Sequence, residues 1–118
     1  MIKEEKAFLY DIKDDTLEVK LVGEIDHHSA VRVRSEIDGL IFDARPRKVA
    51  LDLSEISFMD SSGLGLIMGR YTLIKDLGGV LVLRSPSVAV MKILKLAGMD
   101  RMIRIEKAKT EENENEKQ

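Results

Sequence analysis

Two short polar stretches contain most of the side chains in this chain that could do chemistry. Residues 26–28 have the sequence Asp-His-His, and residues 60–62 have the sequence Asp-Ser-Ser. Each stretch precedes a segment in which apolar residues recur every three or four positions, so each lies where the chain enters a helix. A serine in such a place is a candidate helix N-cap, and its hydroxyl faces the positive end of the helix dipole. We therefore expect the function of the chain to depend on the second junction, which contains Ser61.

Nucleophilic catalysis by Ser61 is the first chemistry to consider. It would require a base within hydrogen-bond reach and a third group that orients the base. His27 or His28 could supply the base, but the residue two positions before Ser61 is Met59, so the glycine-flanked nucleophile elbow is missing. We therefore predict no catalytic residue, and keep an enzyme or receiver that uses Asp52, Asp60 or Ser61 directly as the alternative class.

The same stretches do not predict a cofactor or a metal ion. Gly63, Gly65 and Gly69 deviate by one residue from the dinucleotide-binding spacing, and no Gly-Lys-Ser/Thr follows them, so they favour close helix packing or contact with a partner. His27 and His28 are adjacent and their side chains should diverge, and the chain has no Cys and no third His. We predict neither a cofactor nor a metal site.

Asp52 supports an alternative hypothesis, a receiver-like domain that is phosphorylated on aspartate. Asp52 directly follows the apolar run of residues 49–51, which predicts a buried strand. Receiver chemistry also needs a divalent cation held by further carboxylates, and a lysine that pairs with the phosphoryl group. The lysine is missing, and the hairpin at the start of the chain does not fit an alternating β-α unit.

Composition and charge argue against two other classes of function. The formal net charge is -2, from 21 acidic and 19 basic residues, and no basic block is present. Nucleic-acid binders concentrate Lys and Arg on one face, so we predict no nucleic-acid partner. No apolar run approaches the roughly 20 residues of a membrane span, and the first residues do not resemble a signal peptide. We predict a cytoplasmic protein without membrane association.

The periodicities predict the order β-β-α-β-α-β-α-β. Two alternating segments around Asp14 and Asp15 indicate an antiparallel hairpin, and the strands between helices should be parallel with right-handed crossovers. We therefore predict one α/β domain, residues 1–106, with a mixed sheet packed against helices. Residues 107–118 contain a single apolar residue, and we predict that they form a disordered, charged tail.

The predicted sheet brings the two polar stretches together. Parallel strands place the loops that follow them at one edge of the sheet, where ligands and partners usually bind. Small exposed residues at that edge would let a partner approach closely. The predicted partner-binding residues are Asp26, Met59, Asp60, Ser61, Ser62, Gly63 and Leu64.

Ser61 is also a candidate modification site. A phosphoryl group there would lie at a helix N-terminus, where backbone N–H groups and the helix dipole favour an anion. Beside Asp60 it would make the surface strongly negative without unfolding the helix. This combination is what a phosphorylation switch requires.

Residues 58–65, Phe-Met-Asp-Ser-Ser-Gly-Leu-Gly, resemble the signature of the anti-anti-sigma factors, which are anti-sigma factor antagonists of the STAS-domain family. Residues 23–28 resemble the second signature of these proteins, and Gly69-Arg70-Tyr71 and Gly78-Gly79 lie at the expected places. The resemblance is strongest to the sporulation members and extends over residues 8–106.

This resemblance implies a small, non-enzymatic α/β domain that works by partner switching in transcription regulation. The unphosphorylated form would bind an anti-sigma factor that is also an ATP-dependent serine kinase, and a sigma factor would be released. The kinase would phosphorylate Ser61 and so end the binding. A serine phosphatase of the metal-dependent class would restore the active form.

Overall fold

The computed structural model describes residues 8–107, which form a five-stranded sheet and three α-helices. The predicted order of elements is confirmed: β1 Phe8–Lys13, β2 Thr16–Ile25, α1 His27–Ala44, β3 Lys48–Met59, α2 Ser61–Asp76, β4 Val80–Arg84, α3 Val88–Leu96 and β5 Arg104–Glu106. A 3-10 helix at Met99–Arg101 precedes β5. Apart from Lys107, the predicted tail at residues 107–118 lies outside the described residues, so its disorder and the boundary at residue 106 stay predictions.

The strands follow one another across the sheet in the order β1-β2-β3-β4-β5. β1 and β2 form the predicted antiparallel hairpin, and β2 to β5 are parallel. Because each parallel strand lies beside the preceding one, right-handed crossovers place every connecting helix on the same face. The predicted α/β fold with a mixed sheet is therefore confirmed, as two layers.

The core lies between the three helices and one face of the sheet. The sequence periodicity predicts a buried stripe on α1, and all of its members are buried except Leu40, which is half-buried: Ala30, Val33, Ile37, Leu40 and Ile41. The stripe predicted for α2 comprises Leu64, Ile67, Met68, Tyr71, Ile74 and Leu77. Ile67 and Ile74 are buried as predicted, but Leu66 and Arg70 are buried too and Leu77 is 39% exposed. Since α2 packs against α1 as well as against β3 and β4, its buried surface turns toward α1. The strand residues in the core are Leu17, Val19, Leu21, Val49, Leu51, Leu53, Leu81 and Leu83.

β3 is much longer than the apolar run of residues 49–51 suggests. It spans Lys48–Met59, because polar residues beyond Asp52 continue to pair with β2 through an irregular register. β4 ends at Arg84, which pairs with Asp52, so residues 53–59 of β3 project with β2 beyond the rest of the sheet by roughly 20 Å. The two polar junctions lie at the tip of this projection, away from the end of β4.

Candidate partner-binding site

The two polar junctions lie side by side, as predicted. Ile25 and Met59, the last residues of β2 and β3, are paired in the sheet. The backbone N–H of Asp60 donates to the carbonyl oxygen of Ile25 across 3.3 Å. Asp26 and Asp60 therefore follow neighbouring strand ends, and α1 and α2 start from adjacent points.

The first junction is closed by reciprocal hydrogen bonds. Asp26 is the N-cap of α1, and its Oδ1 accepts from the N–H of Ser29 at 3.0 Å, while its own N–H donates to Ser29 Oγ at 2.9 Å. The Ser29 hydroxyl also donates to the carbonyl oxygen of Glu24 at 3.0 Å. The hydrogen bond from the Ser29 N–H lowers the pKa of Asp26, and the Ser29 hydroxyl and the charge of His28 lower it further against an opposing effect of burial. Asp26 is thus a structural cap, whatever else it contacts.

The second junction is capped by Asp60, and not by a serine as the sequence suggested. Asp60 has extended backbone angles, and its Oδ1 accepts from the N–H of Ser62 at 2.8 Å. The Asp60 carboxylate accepts from this N–H as a serine hydroxyl would. Asp60 precedes Ser61, the serine expected as the cap, by one residue. Ser61 is consequently the first residue of α2, and its side chain is exposed. Among the described residues, no hydrogen bond involves the Ser61 hydroxyl.

Two of the predicted partner-binding residues, Met59 and Gly63, are buried. A Cβ atom at Gly63 would lie 2.2 Å from Cγ of Met59 and 3.3 Å from Cγ2 of Ile25. Only glycine therefore lets the first turn of α2 pack on the ends of β2 and β3. These residues set the position of Ser61 from beneath, while Asp26, Asp60, Ser62 and Leu64 are half-buried at the surface.

Gly65 and Gly69 differ from Gly63, because a Cβ atom at either position would meet nothing within 4 Å. The predicted close packing is therefore found at Gly63, while at Gly65 and Gly69 the other half of the prediction, contact with a partner, stays a prediction. A glycine inside a helix destabilises it by roughly 0.5–1 kcal/mol relative to alanine. Nothing in the fold offsets that loss at Gly65 or Gly69.

A buried ion pair joins α1 to α2 and was not predicted. Arg70 Nε lies 2.8 Å from Oδ1 of Asp38 without hydrogen-bond geometry, and Nη1 donates to the carbonyl oxygen of Leu66 at 3.1 Å. Burial, partly opposed by the Asp38 carboxylate, lowers the pKa of Arg70. The pair thus links α1 to α2 beyond the two junctions.

Phe58 is a further surface residue that the sequence analysis did not place in the site. It lies one residue before the buried Met59, and its side chain is 51% exposed. The signal was present in the sequence, because alternation along a strand turns neighbours of a buried residue outward. Phe58 adds an exposed aromatic side chain three residues before Ser61.

The position of Asp52 speaks against the receiver hypothesis. Asp52 lies within β3, on the helix-free face between Lys20 and Arg84, and its Oδ1 accepts from the N–H of Ser54 at 2.9 Å. The loop that a receiver would use follows Met59 instead. Within residues 8–107, no three His, Asp or Glu side chains are close enough together to hold a metal ion.

The two histidines of the first junction are exposed, and their ring centroids lie 6.2 Å apart with a tilt of 58° between the planes. The side chains diverge, as expected for adjacent residues at the start of a helix. Of the helices in residues 8–107, none is long and apolar enough to cross a membrane.

Comparison with known proteins agrees with this architecture. A model of the STAS domain matches residues 7–116. An anti-sigma F factor antagonist from Paenibacillus polymyxa is 38% identical over 87 residues, which are 74% of each protein. The chain belongs to the STAS domain family, and within that family its relatives are anti-sigma factor antagonists.

Two solved structures extend the comparison. The anti-sigma factor antagonist SpoIIAA in its unphosphorylated form aligns with a TM-score of 0.75 at 30% identity, over 94% of this chain and 95% of that chain. The phosphorylated form of the Bacillus cell fate determinant SpoIIAA aligns with a TM-score of 0.69 at 29% identity, over 94% and 98%. The same fold is therefore found with and without a phosphoryl group.

Proposed function

We propose that this chain is an anti-sigma factor antagonist, a regulatory protein of the cytoplasm without enzymatic activity. Its unphosphorylated form binds an anti-sigma factor that is also a serine kinase, and so releases a sigma factor. The observation that carries the proposal is the exposed Ser61 at the first position of α2, beside two helix caps. The relatives, which are anti-sigma factor antagonists by name, support the antagonist role.

The partner would contact the surface around Ser61. Asp26, Asp60, Ser62 and Leu64 are accessible there, and we add Phe58 to them. Met59 and Gly63 would contribute by holding the first turn of α2 in place.

Phosphorylation of Ser61 would act on the interface and not on the fold. A phosphoserine carries about -1.5 to -2 charges, and at a helix N-terminus a negative charge stabilises by roughly 0.3–1 kcal/mol. At an interface the same charge must be desolvated or paired, and a poorly paired charge costs several kcal/mol. The interfacial effect is larger, so we expect binding to weaken by about two orders of magnitude or more. A metal-dependent serine phosphatase would reverse the switch.

The test uses the anti-sigma factor of the same organism with ATP, mass mapping of the modified residue and calorimetric titration. Ser61→Ala should bind like the unmodified protein and take no phosphate, and Ser61→Asp should bind about 100-fold more weakly with an unchanged circular dichroism spectrum. The control is Ser57→Ala, because Ser57 is an exposed serine of β3 and should not affect phosphorylation.

Two results would contradict the proposal. One is phosphorylation of Ser61→Ala to full stoichiometry, and the other is equal affinity of the phosphorylated and free forms. The modification should also survive acid treatment, since a phosphoserine is stable there and an acyl phosphate on Asp52 is not.

A further inference from the structure

A groove of about 260 Å³ runs between the N-terminal halves of α1 and α2. His27, Val31 and Arg34 line it on the α1 side, and Ser62 and Gly65 line it on the α2 side. Ser62 is also the residue whose N–H is capped by Asp60. The groove therefore opens directly beside Ser61, and a partner that covers Ser61 reaches it without a gap.

The groove has space that the fold itself does not use. The floor is formed by Ala30 and Leu66, which are buried. A side chain at Gly65 would project into open space, and a residue such as alanine or leucine would favour the helix more than glycine does. Val31 stands on the rim with 51% of its side chain exposed. An apolar side chain of a partner would contact both the floor of the groove and Val31.

The charge of the groove is positive. Arg34 lines it together with the imidazole of His27, and no carboxylate is among the lining residues. Arg34 takes no part in the salt bridges among residues 8–107, whereas the nearby Arg70 is paired with Asp38. The cation of Arg34 thus has no partner of opposite charge within this part of the chain.

We propose that the α1–α2 groove binds an acidic segment of the anti-sigma factor, with a carboxylate on Arg34 and an apolar side chain against Val31 and Leu66. The inference rests on the proposed function and extends the binding surface from the helix starts along α1. Charge complementarity and continuity with the surface around Ser61 select this occupant. A segment without a carboxylate would leave Arg34 desolvated and unpaired.

The first test reverses the charge in the groove. Arg34→Glu should weaken binding of the anti-sigma factor from the same organism at least tenfold. Arg32→Glu is the matched control, because Arg32 is exposed on the same helix but does not line the groove. Both variants change the net charge equally, so any change in long-range attraction is the same for both. The control should stay within threefold of the original affinity.

The second test fills the groove. Gly65→Leu should be at least as thermally stable as the unmodified protein and should bind at least tenfold more weakly. Gly39→Leu is its control, because Gly39 is an exposed glycine of α1 whose Cβ would also meet nothing within 4 Å. That variant should gain the same stability and keep its affinity.

The outcomes separate this inference from the proposed function. If the unmodified protein binds and Ser61→Asp does not, but Arg34→Glu and Gly65→Leu bind within threefold of normal, the groove is empty in the complex and the inference is overturned alone. Equal losses in Arg34→Glu and Arg32→Glu would also overturn it, since they indicate long-range charge only. If the unmodified protein does not bind the anti-sigma factor, the proposed function fails and the inference fails with it.

Discussion

The starts of α1 and α2 contain the same residue types, but their serines differ in hydrogen bonding and in exposure. At α1, Ser29 stands three residues after the cap Asp26 and is tied to it in both directions. At α2, Ser61 stands one residue after the cap Asp60, and its side chain points into solvent. A kinase can reach only a hydroxyl that is free and exposed. The position of a serine relative to its cap thus decides whether its hydroxyl is bound within the fold, as at Ser29, or is free for the proposed modification, as at Ser61.

The largest effect is expected from the ion pair between Asp38 and Arg70, which joins α1 to α2. Asp38→Ala removes the partner of Arg70, whose side chain is 6% exposed, while that of Asp38 is 28% exposed. A buried charge without a partner strongly destabilises a fold, and allowing for the partial exposure of Asp38 we expect a loss of about 2–3 kcal/mol. Urea unfolding followed by circular dichroism measures this difference.

Two further variants sharpen that test. In Asp38→Ala combined with Arg70→Met, the buried cation is removed together with its partner, so at least half of the lost stability should return. Asp15→Ala removes an exposed contact with Arg47, and its loss should stay below about 1 kcal/mol. If Asp38→Ala were no more destabilising than Asp15→Ala, the pair would not support the site.

The next effect concerns the packing beneath Ser61. Gly63→Ala places a methyl group against Met59, where a Cβ would lie 2.2 Å from Cγ, and we expect a loss of about 1–2 kcal/mol. Gly69→Ala is the matched control on the same helix, and with open space around it the variant should be more stable by roughly 0.5–1 kcal/mol. Thermal unfolding of both variants decides the matter, and a stable Gly63→Ala would contradict the packing argument.

Local sequence signals predicted most of the fold. Alternation around Asp14 and Asp15 gave the hairpin, and the spacing of Ala30, Val33 and Ile37 gave the buried face of α1, because each of these elements packs on one side only. The proximity of the two junctions followed from the parallel order of the strands. All of these are consequences of periodicity, which one sequence displays directly.

The features that depend on contacts between distant residues were not predicted. The length of β3 depends on pairing with β2, which overrides the polar residues Ser54 and Glu55. The burial of Arg70 depends on Asp38 in another helix. The need for glycine at position 63 depends on the side chain of Met59 on the preceding strand. No local pattern contains this information. The prediction of a serine N-cap for α2 was wrong for a simpler reason, because Asp60 occupies the N-cap position.

The smallest effect is expected from a variant that keeps the helix cap at Asp26 but removes its negative charge. Asparagine caps a helix nearly as well as aspartate, so Asp26→Asn should keep the hydrogen bonds with Ser29 and lose only the interaction of the charge with the helix dipole and His28. At neutral pH we expect the melting temperature to fall by about 1–6 °C.

Because the pKa of Asp26 is lowered in the folded state, the unfolded chain binds the proton more readily. The stabilisation is complete above the unfolded value of about 3.9 and is lost as the pH falls through the lower folded value. The melting temperatures of the two proteins should therefore converge as the pH falls below the lowered pKa of Asp26, while all other carboxylates affect both alike. A difference that stays constant throughout acid titration would show that the charge of Asp26 does not stabilise α1, and that its role at this junction is confined to the cap or to the partner.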